Sequence, residues 1–344
     1  MIMKASIKRT VLWTVAGIVL VAAIVAGTGL YVTRGNCLKS DREIFVPTGS
    51  SYSALLDSIG RDNLRFRWAF DRYARRIGLD RNVKGGHYVL SAPMDIIELA
   101  RKLNLGEQTP VNVTINNVKT PAYLAGKLSR QIEADSASIL AVLTDSALAA
   151  EMGFDTVTMF SMFIPNTYEF YWTVSPEQFV RRMYKEYEAF WNGDRDAKRQ
   201  RSGLSRLETM TLASIIYEET RQKDEMPTIA GVYMNRLRKG IKLQADPTVK
   251  YALGDFGLRR ILYSHLKVDS PYNTYRYAGL PPSPICMPSI DAIDAALNYE
   301  DHDYIFFCAR PTFDGYHNFA ATSAQHAANA RAYQAELNKR KIYK

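Results

Sequence analysis

The residues whose types and spacing suggest chemistry lie between Leu212 and Gly254, LASIIYEETRQKDEMPTIAGVYMNRLRKGIKLQADPTVKYALG. This stretch reads as helix, acidic and lysine-containing break, second helix, loop, and a short third helix. On the first helix, at about 100° per residue, Leu212, Ile215 and Ile216 form one apolar stripe, and Glu219 falls on it between Ile215 and Ile216. Glu218 points about 100° away, toward the more polar side. A carboxyl on the face that a helix normally buries needs a partner or a task. Burial raises its pKa, which is what a general acid at neutral pH requires. The pattern alone also fits an ordinary ion pair, with Arg221, Arg236 or Arg238 as the partner.

Other chemistries lack their signatures. The chain has no G-x-S-x-G, H-E-x-x-H, phosphate-cradling loop or dinucleotide fingerprint. Asp301-His302-Asp303 is the nearest approach to a metal cluster, but three consecutive residues do not converge on one ion, so no metal and no cofactor are expected. His265, His317 and His326 are scattered, and Cys37, Cys286 and Cys308 show no zinc spacing. Carboxylates remain. Glycoside hydrolysis ordinarily takes two, and Glu219 with Asp246 are the candidates. Asp246 precedes Pro247, so it equally reads as the cap of the helix that ends at Gly254.

The elements that position these residues follow from periodicity. Before Glu43, an uncharged run from Thr10 to Thr33 has the roughly 20 apolar residues that a bilayer span needs, with Trp13 and Tyr31 at its two ends. It is long for a cleaved signal and lacks an A-x-A exit, so it reads as a single-pass anchor after a tail over 1–9. Lys4, Lys8 and Arg9 on one flank match Arg34, Lys39 and Arg42 on the other, which leaves orientation open. Residues 43–108 read as a small mixed unit: a strand in EIFVPTG, a helix from Ser50 to Ile59, another from Leu64 to Ile77, a strand over His87 to Leu90, and a helix from Met94 to Leu103. Trp68, Phe70 and Tyr73 read as core.

From 109 onward helices dominate. Val111 to Ile115 alternates as a strand, Thr120-Pro121 opens a helix to Ile132, and two short helices fill 136–152. Pro165-Asn166 marks a turn in FIPNTYEFYW, and helices return over Pro176 to Trp191 and from Leu204. RDAKRQR at 195–201 reads as a solvated loop or helix end. After the polar loops around Pro271–Tyr275 and Gly279–Pro284, Pro288 to Leu297 is helical. Tyr304 to Cys308 and His317 to Phe319 make a hairpin turning at Asp314-Gly315, and Thr322 with Gln325 caps a last helix. The formal charge of +9 is spread along the chain. It suits an anionic polymer or a membrane surface and shows no nucleic-acid arm.

Several motifs stand in order: LASII-x-E-E-T, NRL at 235–237, LQ-x-DPTV at 243–249, YNTY at 272–275, GLPP at 279–282 and the H-x-F of His317 and Phe319. In these the chain resembles the YceG-like family of endolytic murein transglycosylases, over nearly everything after the anchor. The resemblance places the family's catalytic acid on Glu219. The chain departs from the family at Tyr217, where a glutamate is usual, and at Asn166, where aspartate is more frequent.

The resemblance implies an α+β protein: a transmembrane anchor over 10–33, a LysM-like module over 43–108, and a helix-rich catalytic domain with a small β component over 109–344. It also implies an inner-membrane protein with its body in the periplasm, cutting the MurNAc–GlcNAc bond within peptidoglycan strands to leave 1,6-anhydro ends. Peptidoglycan, the bilayer and peptidoglycan synthesis proteins are the implied partners. Because the muramoyl 6-hydroxyl is the nucleophile, one carboxyl suffices. Gln244, Asp246, Thr248, Asn273 and Tyr275 are then candidates for orienting the sugar. Two other readings stand beside this one: a muramidase-type hydrolase using Glu219 and Asp246, and a non-enzymatic membrane-tethered glycan-binding scaffold.

Overall fold

A computed structural model describes residues 2–116, 118–258 and 260–340. The side chains of Lys4, Lys8 and Arg9, and the chain beyond 340, lie outside the described residues. Among those residues the chain is helix-rich, with three small two-stranded sheets. It divides into two compact units, the first comprising 1–112 with 131–133 and 169–174, the second the remainder.

In the first unit, α1 (Ile2–Arg34) is one continuous helix, with no break between the expected tail and the anchor. Its 24-residue stretch from Val11 to Arg34 is long and apolar enough to cross a bilayer, and from Val11 to Tyr31 it is exposed, whereas Val32 is buried. At 1.5 Å per residue the stretch reaches about 36 Å, enough for a bilayer's hydrocarbon core. After it, β1 (Arg42–Val46) pairs antiparallel with β2 (Gly86–Leu90), Arg42 opposite Leu90 and Val46 opposite Gly86. The alternation puts Ile44 and Val46 inside and Phe45 out. Ser51 caps α2 (Tyr52–Ile59) by accepting from the Ala54 amide, and Asp95 caps α4 (Ile96–Leu105) by accepting from Glu98. Between them, α3 (Arg67–Ile77) starts three residues later than its apolar pattern suggests, because Leu64 is held in a bridge to Leu38. The expectation that Trp68, Phe70 and Tyr73 are all core is corrected here. Phe70 is fully buried, but Trp68 is 67% exposed. Residues two apart on a helix lie about 200° apart and do not share a face.

The second unit holds the helices around the catalytic candidate. β3 (Val111–Ile115) pairs with β4 (Asn166–Phe170). Asn166 therefore opens a strand instead of sitting in the expected turn. Next come α5 (Pro121–Leu128), capped by Thr120, then α6 (Ser136–Leu143) and α7 (Ser146–Glu151), capped by Asp135 and Asp145. The long α8 (Pro176–Phe190) opens on a capping box formed by Ser175 and Gln178. RDAKRQR belongs to a short helix, α9 (Asp194–Ser202), that buries none of its residues.

The centre of this unit is α10 (Arg206–Glu219), against which α11 (Met226–Arg238), α12 (Asp246–Leu253) and α13 (Ile290–Leu297) pack. The C-terminal hairpin pairs β5 (Phe306–Ala309) with β6 (His317–Ala320), Phe306 opposite Ala320 and Ala309 opposite His317. The closing helix α14 (Ser323–Lys339) has both halves of the Thr322/Gln325 capping box.

Candidate active site

The site is built on the end of α10. Ser205 and Glu208 start the helix with a reciprocal capping box. From Thr209 to Ile216 every residue is buried, so the helix is enclosed on all sides and not only along the Leu212–Ile215–Ile216 stripe. That is the signature of a central helix. It also changes the reading of Glu218, which does not face solvent. Its carboxylate pairs with Lys119 at 2.9 Å, with only 14% of the side chain exposed. The helix stops at Thr220, whose backbone is extended, so Glu219 is the last helical residue.

Glu219 is half-buried. Burial pushes its pKa up to about 7, against a hydrogen bond from Tyr233 that lowers it. The charge of Asp246 adds to the rise and Lys250 counters it. The position at a helix C-terminus, where backbone carbonyls disfavour an anion, works in the same direction as burial. The carboxyl opens into a cavity of about 330 Å³, whose wall includes Arg310, Phe313, Tyr316, His317 and Tyr333.

None of the three arginines that might have claimed Glu219 does so. Arg221 lies 4.4 Å over the Tyr217 ring and donates to the Tyr217 carbonyl. Arg238 donates to the Tyr299 hydroxyl. Arg236, only 8% exposed, donates to the carbonyls of Ile305 at 2.6 Å, Lys242 at 3.1 Å and Leu243 at 2.8 Å, and to Gln244 Oε1 at 3.3 Å. It pins the α11–α12 loop to the chain just before β5. Glu219 instead accepts from Tyr233 Oη at 2.8 Å. Tyr233 is buried, and burial followed by the Glu219 charge pushes its pKa well above the usual phenol value. The phenol therefore stays protonated and remains a donor.

The other sequence candidates divide by exposure. Asp246 is exposed and accepts from Tyr275 Oη at 2.6 Å. It is the first residue of α12 and not its cap, since Ala245 holds the cap position with no side-chain bond. Gln244 is exposed and sits at φ 53°, a left-handed backbone that a non-glycine residue rarely adopts. Its amide donates to the Thr274 carbonyl at 3.2 Å and its side chain accepts from Arg236. Thr248 and Asn273 are fully buried. Thr248 donates to the Ala245 carbonyl at 2.7 Å and lies 2.8 Å from Thr274 Oγ1. Asn273 donates to the carbonyls of Leu266 and Val268 and accepts from the Tyr275 amide. Both residues shape the loop that carries Tyr275, with their own polar atoms already engaged.

Sequence reasoning did not anticipate the hairpin wall. The turn between β5 and β6 is clamped to the α10–α11 break: Tyr316 Oη donates to both Asp224 oxygens at 3.1 Å, and Gln222 donates to the Asp314 carbonyl. Beside it, Glu225 is 5% exposed, accepts from the His317 amide at 2.7 Å and lies 2.8 Å from its ring Nδ1. The signal was present in H-x-F, but a motif does not say which helix its histidine meets. Asp301-His302-Asp303 is part of the scaffold. His302 Nε2 lies 2.9 Å from the Thr228 carbonyl, and the described residues contain no group of three or more metal-ligating side chains placed around one point.

A helix-rich domain holding a carboxyl at near-neutral pKa, with a phenol donor and, among the described residues, no cation bonded to it, defines an acid/base site. The chain belongs to the YceG-like family, whose sequence profile matches residues 44–332. It is 29% identical over 320 residues to the endolytic murein transglycosylase of Bacillus subtilis, covering 88% of this chain and 87% of that one. It is also 34% identical over 136 residues to the endolytic murein transglycosylase of Streptococcus pneumoniae, covering 38% of this chain and 24% of that protein. The crystal structure of a yceG-like protein from Listeria monocytogenes is similar at a TM-score of 0.58 with 29% identity, over 84% of this chain and 99% of that one.

Proposed function

We propose that the chain is an endolytic lytic transglycosylase of peptidoglycan, with Glu219 as its single acid/base. The observation that carries this is the Glu219 carboxyl, raised to about 7, paired with no arginine among the described residues and lining a cavity. As the acid, it protonates the glycosidic oxygen and the bond from that oxygen to the MurNAc anomeric carbon breaks, releasing the GlcNAc 4-hydroxyl. As the carboxylate, it takes the proton of the MurNAc 6-hydroxyl while O6 bonds to the anomeric carbon. Glu219 ends as it began, no water is consumed, and the product is a 1,6-anhydro end. Intramolecular attack supplies the nucleophile at high effective concentration, so no second carboxylate has to position water. Tyr233 keeps the carboxyl from rising so far that it no longer ionises.

Gln244, Asp246 and Tyr275, exposed or half-buried near α12, are the residues that would meet sugar hydroxyls and amides. Thr248 and Asn273 would hold their loop. The mixed unit over 43–108 would serve as a LysM-like glycan-binding module and 109–344 as the catalytic domain. The apolar helix over 10–33 would anchor the body on the periplasmic side of the inner membrane, close to nascent strands and the synthesis proteins that make them. The family relationship and the largely unburied apolar stretch of α1 support this arrangement.

The test is full-length protein in mild detergent, incubated with purified peptidoglycan, with released muropeptides identified by mass spectrometry. Anhydro-muramic ends that vanish in Glu219→Gln are the expected result. Hydrated reducing ends would favour the hydrolase reading, for which the charge of Asp246 near Glu219 is the supporting observation. Binding without cleavage would leave a scaffold.

A further inference from the structure

In the first unit, α1 and α3 enclose a groove of about 530 Å³. The α1 wall is mostly apolar, with Ile24, Val25, Gly29 and Val32 along it beside Thr28 and Thr33. The α3 wall presents Trp68, Arg72 and Arg76. These three are spaced four apart and so form one stripe of the helix. The neighbouring Arg67 and Arg75 pair with Asp71 and Asp80. Arg72 and Arg76 are exposed, and among the described residues neither has a hydrogen-bond or ion-pair partner. From Arg65 to Arg81 the chain carries six arginines and two aspartates, so the surroundings do not neutralise them.

We propose that this groove seats one anionic phospholipid of the bilayer that α1 enters, with its phosphate on Arg72 and Arg76 and an acyl chain along α1. The proposal rests on the anchor reading given above. Three observations select this occupant. Guanidinium groups bind phosphate oxygens through paired N–H bonds, and two unpaired ones lie side by side. The facing wall belongs to a helix of membrane-spanning length, so the ligand must be apolar where it meets α1. From Ile24 to Val32 that wall runs about 12 Å, the length of a glycerol backbone with the first part of an acyl chain. Trp68, 67% exposed beside it, has the amphipathic ring that settles at headgroup level. Gly29 lines the groove, and the space above it is open: a Cβ there would meet nothing within 4 Å, so a larger side chain would extend into the groove. A zwitterionic headgroup would bring its own cation against the same arginines and bind less well.

The experiment uses full-length protein reconstituted into vesicles of phosphatidylcholine mixed with phosphatidylglycerol, then released in mild detergent and weighed by native mass spectrometry. Wild type is expected to retain one phosphatidylglycerol over phosphatidylcholine with a preference on the order of thirtyfold, from two arginines at about fivefold each. Arg72→Gln/Arg76→Gln should insert equally well and lose the preference. Gly29→Leu, which leaves both arginines intact, should lose the lipid by filling its space. Equal retention by the double variant would overturn the proposal. So would displacement of the lipid by millimolar inorganic phosphate, which would reduce the groove to a general anion site. A dimer that forms in place of lipid retention, and that Gly29→Leu breaks, would assign the groove to a second copy of the chain. Protein that does not partition into vesicles at all would overturn the anchor reading along with the lipid site, whereas inserted protein without lipid preference would overturn the lipid site alone.

Discussion

The Tyr233 hydroxyl donates to Glu219 across α10 and α11 at 2.8 Å, and it is a stabilising contact for the ionised form of the carboxyl that burial otherwise opposes. Burial wins, leaving Glu219 near neutrality. The two effects lie on different residues, so they can be separated by substitution.

Glu219→Gln should lower the release of anhydro ends by about two to four orders of magnitude, the usual contribution of a positioned acid/base. The same change has a stability signature. With a folded pKa of about 7 against 4.5 in the unfolded chain, the folded state binds more protons between those values, so stability falls as pH rises through that window. Glutamine removes the ionisation. Thermal unfolding should therefore find the variant close to wild type at pH 4.5 and more stable than wild type at pH 8, by about 1–3 kcal/mol. A variant less stable than wild type at pH 8 would mean that Glu219 is not strained by ionisation.

Tyr233→Phe and Asp246→Asn should move the pH profile in opposite directions. Removing the Tyr233 donor removes the influence that lowers the Glu219 pKa, so the alkaline limb of kcat/KM should rise above about 7. Removing the Asp246 charge removes an influence that raises it, so that limb should shift downward. Activity must survive in Asp246→Asn if O6 is the nucleophile. Its loss at every pH, with hydrated ends from the wild type, would instead make Asp246 the base of a hydrolase.

The part of this site legible in the sequence was the part carried by local periodicity and order. Glu219 on an apolar helix face, the Thr322/Gln325 capping box at the start of α14, the proline-opened α12 and the β5–β6 hairpin all follow from neighbours along the chain. Burial on the far side of α10 did not, because Glu218 meets Lys119, in the loop before α5, only after segments distant in sequence pack together. The same limit applied to Arg236. Three residues before Lys239 it reads as a surface cation, yet its guanidinium is held by the carbonyls of Lys242 and Leu243 in the α11–α12 loop and of Ile305 just before β5. Trp68 was missed for a simpler reason, since an aromatic in an amphipathic helix need not lie on the buried side.

Arg236 should therefore matter for stability more than for charge. Arg236→Met would leave the carbonyls of Lys242, Leu243 and Ile305 without their donor, at a cost of about 3 kcal/mol or more. Differential scanning calorimetry should show the second unit melting roughly 6 to 12 °C lower. Arg236→Lys should recover less than half of the loss, because one ammonium does not reproduce a fork that reaches Ile305 through Nε and Leu243 through Nη1. Full recovery by lysine would mean that charge alone holds the loop.

Phe313 tests whether the hairpin wall handles substrate. It sits at φ 59°, a left-handed conformation that costs a non-glycine residue about 1–2 kcal/mol, while its ring packs 5.4 Å from Tyr333 on the wall of the Glu219 cavity. Strain kept at a cavity wall suggests that the side chain is needed there. Phe313→Gly relieves the backbone and removes the ring. The melting temperature should therefore stay the same or rise by a few degrees, while KM for glycan strands rises severalfold and the pH limb set by Glu219 holds its position. A lower melting temperature with unchanged KM would instead make Phe313 a packing residue for α14, with no part in holding the strand against Glu219.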